Sequence, residues 1–579
     1  MRAGSKLLPE VNLGAVLIVA PFVLPHIGGS LDMLQRILNW GMLGIGFDLL
    51  YGAAGLLSFG QAAFYGAGGF VTAYVLLNHV VNSVWLGLLI GTLIAGMFGV
   101  IIGWLAVRRI GIYFAMITLA FGQMGYFLEN SPLSAYTGGE NGLPGVPVPY
   151  IGTLRINTGL PMYWLLAGFF FVGFVLARRI LHSPFGMVLR AIRENTLRVS
   201  LVGHSVPGYK LAVFVIAALY AGLAGGLLGV FQSYMPPDAF SLDTSGQLVV
   251  QTVIGGVGTL IGPTVGATIW LYLRDNLQLI PGVGALWKLI LGLIFVVLVV
   301  ALKRGICGEL RYLFIRPREL AAEADVPEEG GAAATGPVAL ALPMTAPLVL
   351  ARPDAPALLA ADVAKYYGGL HAVDGVSFAV RTGSIHAVIG PNGAGKSTLF
   401  KMLKDEISPT SGEVLLFGRR ITGLGPTRTA QLGIGKSNQL NQLFLELTVR
   451  QNLRIAALAR RRGVFRADLL RAADSIPVVE RQVDAVMETV GLSHRADMPV
   501  HVLPYGEKRR VEIGIALATG PNVLLLDEPL AGMSPAERAA TRALIRELAR
   551  SRTLLIVEHD MDAIFELAER ITVLYEGRL

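Results

Sequence analysis

The chain has 579 residues, too many for one core, with 53% hydrophobic residues, 15% charged residues and a mean hydropathy of +0.58. Soluble proteins carry about 25% charged residues, so a wholly soluble chain is excluded and much of this one belongs in lipid. The net charge of +8 does not point to nucleic acid, because the basic residues cluster between apolar segments as a positive-inside bias requires, and the single Cys307 excludes an intrachain disulfide.

In chain order, the first apolar stretch, Val11 to Pro25, has no small-residue cleavage pattern after it and reads as a span rather than a removed leader. Spans are predicted near 11–27, 33–53, 60–79, 84–106, 111–129, 160–181, 210–231 and 284–302, each close to the 20 or so apolar residues a crossing helix needs. Arg2, Lys6, Arg108, Arg109, the set Arg178 to Lys210, Lys303 and Arg304 then fall on one side, which is the cytoplasm; the opposite loop, Ser131 to Gly159, holds few charges. Parity makes the apolar region 246–273 either re-enter or cross twice, with Gly255-Gly256-Val257-Gly258 and Gly262-Pro263 breaking a helix at mid-depth. That break either lines a solute path or joins two short packed helices. Gly222 and Gly226 are spaced for close helix packing. Asp48, inside GIGFDLLYG, must face protein or water, on a solute path or in a structural hydrogen bond. The outer loop TGGENGLPGVP, Thr137 to Pro147, is either a docking surface or a glycine-rich turn.

Hydropathy falls sharply near residue 305. We expect a membrane domain over 1–310, an Ala/Pro/Gly-rich flexible tether over 311–356 and a globular domain over 357–579. The last carries the strongest signal. A buried strand, Ile385 to Ile389, is followed by Gly390-Pro391-Asn392-Gly393-Ala394-Gly395-Lys396-Ser397 and a helical stretch from Thr398. This GxxxxGK[ST] pattern in a strand–loop–helix setting turns backbone N–H groups around phosphate oxygens; Lys396 reaches the β/γ-phosphates and Ser397 offers a hydroxyl to Mg²⁺. A second apolar strand, Val523 to Leu526, ends in Asp527, placed for Mg²⁺, and Glu528, placed to orient or deprotonate the attacking water. The run Arg460-Arg461-Arg462 reads as a solvated helix face.

Together with Gln439, LPYGEKRR (Leu503 to Arg510) and His559 in IVEHD, these residues match the ordered motifs of ABC-transporter ATPases over 358–579. The resemblance implies an all-α polytopic membrane domain followed by an α/β P-loop (ABC) ATPase domain, with ATP and Mg²⁺ as cofactors. It implies adenine stacking on Tyr367 and Mg²⁺ and γ-phosphate sensing by Gln439. It also implies γ-phosphate contact by His559, phosphate contacts from Thr398, and a partner's nucleotide served by Tyr505, Gly506 and Glu507. GPNGAGKST, GIGKSNQLNQLF, LLLDEPLAGMSP and VEHDM are similar to the branched-chain amino acid importer ATPase. SFGQAAFYGAGGF, SPFGMVLRAIREN and GGVGTLIGPTVGA, over residues 30–305, resemble that importer's permease. Ser183 to Lys210 then corresponds to the coupling helix that docks on an ATPase; without the resemblance it reads as a basic loop attracted to anionic lipid.

The sequence departs from that family at several points. Pro504 replaces the usual signature Ser, Ser534 stands at the usual D-loop aspartate, Asp48 and Gln61 stand where Asn and His are expected, and the chain stops at Leu579 where a longer tail, and so a truncation, is expected. The reading is an inner-membrane importer for branched-chain or related amino acids, with the N-terminus and the ATPase cytoplasmic. Its partners are an external binding protein, a second permease and a second ATPase (or a second copy), membrane lipid and a small solute, with no nucleic acid. Urea or amide import, an ABC exporter and a membrane-anchored regulatory ATPase are the alternatives; the short glycine-rich spans argue against an exporter.

Overall fold

The computed structural model describes residues 4–151, 154–156, 159–280, 286–313, 356–437 and 442–579. Most of the expected tether, 314–355, and Gln439 lie outside the described residues. Packing divides the rest into two compact units, one holding everything up to His182 together with Pro207 to Leu313, the other Ser183–Val206 with the residues from Pro356 onward.

In the first unit, helices Gly4–Val23, Leu31–Asp48, Gln61–Leu77, Val84–Ala106, Ile112–Asn130, Leu160–His182, Val206–Gln232 and Trp287–Ala301 stand where spans are expected. Among the described residues, four helices are long and apolar enough to cross a membrane, Val84–Ala106, Leu160–His182, Val206–Gln232 and Trp287–Leu313. Elsewhere the apolar run exceeds the straight helix. Leu31–Asp48 passes directly into a π turn, Leu49–Ala53, and Gln61–Leu77 has only 17 residues. Glycines set the packing distance. A Cβ on Gly222 would lie 2.4 Å from that of Ala95, and one on Gly226 would lie 2.8 and 2.9 Å from Leu88 and Thr72 side-chain atoms, so this pair serves close approach.

The region 246–273 is a helical hairpin, Leu242–Gly255 and Gly262–Leu279, whose break keeps Gly256, Gly258 and Leu260 at φ of 119°, 83° and 61°. A positive φ is strained for leucine, and Asp48 holds it there. Its Oδ1 accepts from Gly258 N at 2.6 Å and its Oδ2 from Leu260 N at 2.8 Å. The carboxylate is therefore a structural acceptor, satisfying amides that lipid could not. The loop Thr137 to Pro147 is a glycine-rich turn. Gly138, Gly139, Gly142 and Gly145 all have positive φ, Leu143 pairs with Met235, and Thr137 Oγ1 donates to Glu129 O at 2.8 Å.

In the second unit, nine strands are introduced in chain order: β1 Leu358–Tyr367, β2 Leu370–Val380, β3 Ile385–Ile389, β4 Ser411–Leu416, β5 Arg419–Arg420, β6 Ile434–Lys436, β7 Val523–Asp527, β8 Thr553–Val557 and β9 Arg570–Val573. Among the described residues they form a parallel sheet, β6-β7-β8-β3-β9, and an antiparallel sheet, β2-β1-β4-β5. The strands β3, β7 and β8 are near-continuous apolar runs because helices cover both faces of a parallel sheet. One core runs through both sheets, including Val376, Val388, Leu399, Leu525 and Leu555.

Ser183–Val206 belongs to this unit. Ser183 caps helix Pro184–Glu194, accepting from Gly186 N at 3.2 Å, and its apolar residues Phe185, Val188, Leu189 and Ile192 are buried. A second short helix, Thr196–Val202, and its exit are tied by polar bonds. Lys404 Nζ donates to Leu201 O at 2.8 Å, Gln431 Nε2 to Gly203 O at 2.9 Å, and Val464 O accepts from Ser205 N at 2.8 Å. His204 Nε2 lies 2.9 Å from Ile455 O, and burial lowers this imidazole to a pKa of about 4, so it stays neutral and donates. The segment docks on the ATPase as the resemblance implies, and is no free lipid-facing loop.

The expectation of a solvated 460–462 run holds for the exposed Arg461 and is corrected for Arg460 and Arg462, which are half-buried. Arg460 Nη1 donates to Gln431 O, Arg461 Nε to Gln482 Oε1 at 3.2 Å, and Arg462 pairs with Asp468 at 2.5 Å. These guanidiniums knit the end of helix Val449–Arg462 to its neighbours, because long stems reach buried acceptors that composition does not reveal.

Candidate nucleotide site

The loop Gly390–Gly395 leaves β3 and enters helix Lys396–Leu403. Glycine is required at two positions: a Cβ on Gly390 would sit 2.1 Å from Leu574 O, and one on Gly395 2.3 Å from Ala372 O. Gly393 has φ of 86° and open space on its outer side. Pro391 and Asn392 are exposed, Ala394 is buried beneath them, Ser397 is exposed and Thr398 half-buried. Lys396 is buried and its ammonium donates to Gly390 O and Pro391 O at 2.6 and 2.8 Å. Burial lowers its pKa, opposed by the nearby Glu528 and Asp527 carboxylates.

The end of β7 supplies the acids. Asp527 is buried, and desolvation raises its pKa against the lowering pull of Lys436, which itself pairs with Glu406 at 2.8 Å. Glu528 follows with φ of 48°, a strained conformation for a side chain with a Cβ. Three bonds hold it: Glu528 N donates to Val557 O at 2.8 Å, and Arg509 Nη2 donates to Glu528 O at 2.7 Å and also to Asp527 O. His559 Nε2 is 3.0 Å from Glu528 Oε1. Lys396, Asp527, Glu528 and His559 are thus brought together.

The remaining predicted residues sit differently. Tyr367 ends β1, half exposed, beside the Gly368 turn, with Lys365 Nζ 5.4 Å from its ring centre. Pro504 is the N-cap of helix Tyr505–Ala518 and makes no side-chain cap bond. Tyr505 lies against Gly532 and Gly506 against the Glu537 carboxylate; Glu507 is bound to Arg495 at 3.5 Å and Arg510 at 3.9 Å. Ser534 caps helix Pro535–Ala549 in a capping box with Glu537, which accounts for a hydroxyl residue there. Arg509 and Glu558 were not singled out by sequence. Glu558 accepts from Leu530 N at 2.7 Å and His559 N at 3.0 Å, joining the turn after Glu528 to His559. Its place inside IVEHD, directly before His559, is the available signal.

The pocket's chemistry fits a nucleotide and its cation. A glycine turn with an open outer face, a buried ammonium bonded to loop carbonyls, and a helix N-terminus match phosphate oxygens. Ser397 and Asp527 offer hydroxyl and carboxylate oxygens, the donors Mg²⁺ takes alongside phosphate, and no cluster of three or more His, Cys, Asp or Glu that would cage a metal occurs among the described residues.

Comparison with known proteins agrees. Residues 30–299 match the family described as branched-chain amino acid transport system / permease component, and residues 373–531 match the family described as ABC transporter. The high-affinity branched-chain amino acid transport ATP-binding protein LivG of Salmonella typhimurium is 36% identical over 218 residues, 36% of this chain and 85% of that protein. The chain belongs to the ABC transporter family. BraF of Pseudomonas aeruginosa, a protein of the same description, is 35% identical over 38% of this chain and 89% of its own length. The arabinose import ATP-binding protein AraG of Yersinia pestis is 34% identical over 39% of this chain and 42% of its own length. This ABC transporter chain is a membrane protein that joins an importer's permease to its nucleotide-binding ATPase, which couples ATP hydrolysis to transport.

Proposed function

We propose that this fused subunit imports branched-chain or related amino acids across the bacterial inner membrane, with its N-terminus and ATPase in the cytoplasm. The observation that carries the reading is the permease match over residues 30–299, since LivG-like likeness in the ATPase is shared with a sugar importer's cassette. The roles follow from position. Gly390 to Thr398 cradle the phosphates, Lys396 neutralises the β/γ-phosphate charge, and Tyr367, half exposed, stacks on adenine. Ser397 and Asp527 hold Mg²⁺, with Gln439 as a further ligand; the cation, when bound, neutralises charge on the β/γ-phosphates. Glu528 orients or deprotonates water, and His559, bonded to it, faces the γ-phosphate. Tyr505, Gly506 and Glu507 serve the nucleotide of a second ATPase. The docked 183–206 segment conveys closure of the ATPases to the permease, and an external binding protein delivers the solute.

Vesicles holding the chain with its partner subunits and a loaded binding protein should accumulate radiolabelled leucine only with internal ATP. Glu528→Gln should abolish uptake while retaining ATP. ATP-driven uptake of sugar or urea but of no amino acid would reject the reading.

A further inference from the structure

The first unit contains a half-open cavity of about 640 Å³ between helices Gln61–Leu77, Val84–Ala106 and Ile112–Asn130, with Phe240 of the turn before Leu242 in its wall. Its wall is apolar and aromatic, with Phe64, Phe70, Tyr74, Phe121, Tyr136 and Phe240 among the lining side chains. Among the described residues Glu129 is the only charged one that lines it. Its side chain is 1% exposed, and neither Oε1 nor Oε2 has a hydrogen-bond partner. Its backbone is fixed instead, since Glu129 O accepts from Thr137 Oγ1 at 2.8 Å, tying it to the glycine-rich turn. The exposed Asp238, close enough to act on Glu129 electrostatically, adds a second negative charge beside Phe240.

A carboxylate in apolar surroundings without donors is costly, and a chain keeps one at the end of an apolar helix where something charged comes to it. Aromatic faces complement the same class of visitor, because ring quadrupoles attract cations. We propose that this cavity is a solute subsite of the permease in which Glu129 receives the ammonium group of an amine-bearing solute while the aromatic wall receives its apolar part. The inference rests on reading the chain as an amino acid carrier, and it names the group by which the permease itself tells such a solute from an uncharged or anionic one of equal size.

The test uses the full chain with its partner subunits in lipid nanodiscs, without binding protein. Three probes are titrated to millimolar concentration: leucine, isoamylamine, which lacks the carboxylate, and isocaproate, which lacks the amine. Leucine and isoamylamine should bind, and Glu129→Gln should weaken both by about 30-fold or more, as loss of one partner of a desolvated charge pair does. Isocaproate should be indifferent to the change. Glu129→Asp, which keeps the charge, should retain amine binding and shows that any loss is not misfolding. Equal binding of both amines by Glu129→Gln overturns the inference. So does wild-type protein that binds neither amine yet imports leucine from its binding protein, and that result leaves the amino acid reading standing. Glu129-dependent amine binding with no uptake of any amino acid supports the subsite and removes the amino acid reading.

Discussion

Arg509 makes the strongest testable case for what holds Glu528, the carboxylate proposed to orient water, in place. Its guanidinium is 1% exposed; Nη1 pairs with the fully buried Glu512 at 2.5 Å and Nη2 donates to the carbonyls of Asp527 and Glu528. Arg509→Met removes two bonds from a charged donor, each about 1.5–3 kcal/mol, and takes the partner from a buried carboxylate. Breaking such a pair costs about 3–5 kcal/mol in all. Arg198, buried near Glu512, compensates only part of this. The double variant Arg509→Met/Glu512→Leu removes both charges and should recover about 2 kcal/mol, because an apolar pair of similar volume is tolerated where an orphaned ion is not. It does not restore the bonds to β7. Glu528, at φ of 48°, is then free to relax, and if its carboxylate orients water as proposed, a shift of about 1 Å lowers turnover about 10²-fold. Stability is read by pulse proteolysis in urea and turnover by phosphate release from the reconstituted complex, with nucleotide affinity as a control that should stay within about twofold. Single and double variants should therefore differ in stability and share the turnover defect. Wild-type turnover in either one would refute the reasoning.

Three further outcomes are expected. Asp48→Asn keeps one acceptor and turns an N–H toward a backbone N–H of the 258–260 turn, costing about 2–3 kcal/mol, and an unchanged denaturation midpoint in nanodiscs would contradict the assigned bonds. Pro504→Ser supplies a cap hydroxyl three residues before Glu507, which should stabilise the following helix by about 1 kcal/mol and raise ATP turnover a few-fold; unaltered turnover would place the signature serine outside catalysis here. Lys404 is fully buried, and burial lowers its pKa to about 7, so the unfolded chain binds the extra proton between pH 7 and the ordinary lysine value of 10.5. Its cost is fully present below pH 7 and fades as pH rises through that window, by about 1.4 kcal/mol per unit; Lys404→Met should remove this slope, measured by pulse proteolysis from pH 7 to 9.

What the sequence made legible was local. The glycine loop, its flanking strand and helix, and the acid pair after an apolar strand are contiguous patterns whose physics is complete within about ten residues. The break at 256–261 was legible as well, because charge parity and glycine spacing both demanded it. The occupants of that break were not: Asp48 meets amides some 210 positions away, a pairing that only tertiary structure creates. Arg509 looked like one more basic residue in KRR, and Glu129 like a helix-end acid, since burial and the lack of a partner are not written in residue type. Arg460 and Arg462 misled for the same reason, as a run of charge looks identical whether solvated or folded against a carbonyl or a carboxylate.

The line drawn by hydropathy near residue 305 and the line drawn by packing are different. Twenty-odd residues encoded amid the membrane helices finish the interior of the ATPase, with Phe185, Val188, Val199 and Arg198 all buried there. A cassette expressed from residue 357 onward would carry a raw groove where Leu201, Gly203 and Ser205 should satisfy Lys404, Gln431 and Val464. Because Ser183 to Val206 precede the cassette in one polypeptide, whenever this cassette is synthesised the plug for its groove has already been made.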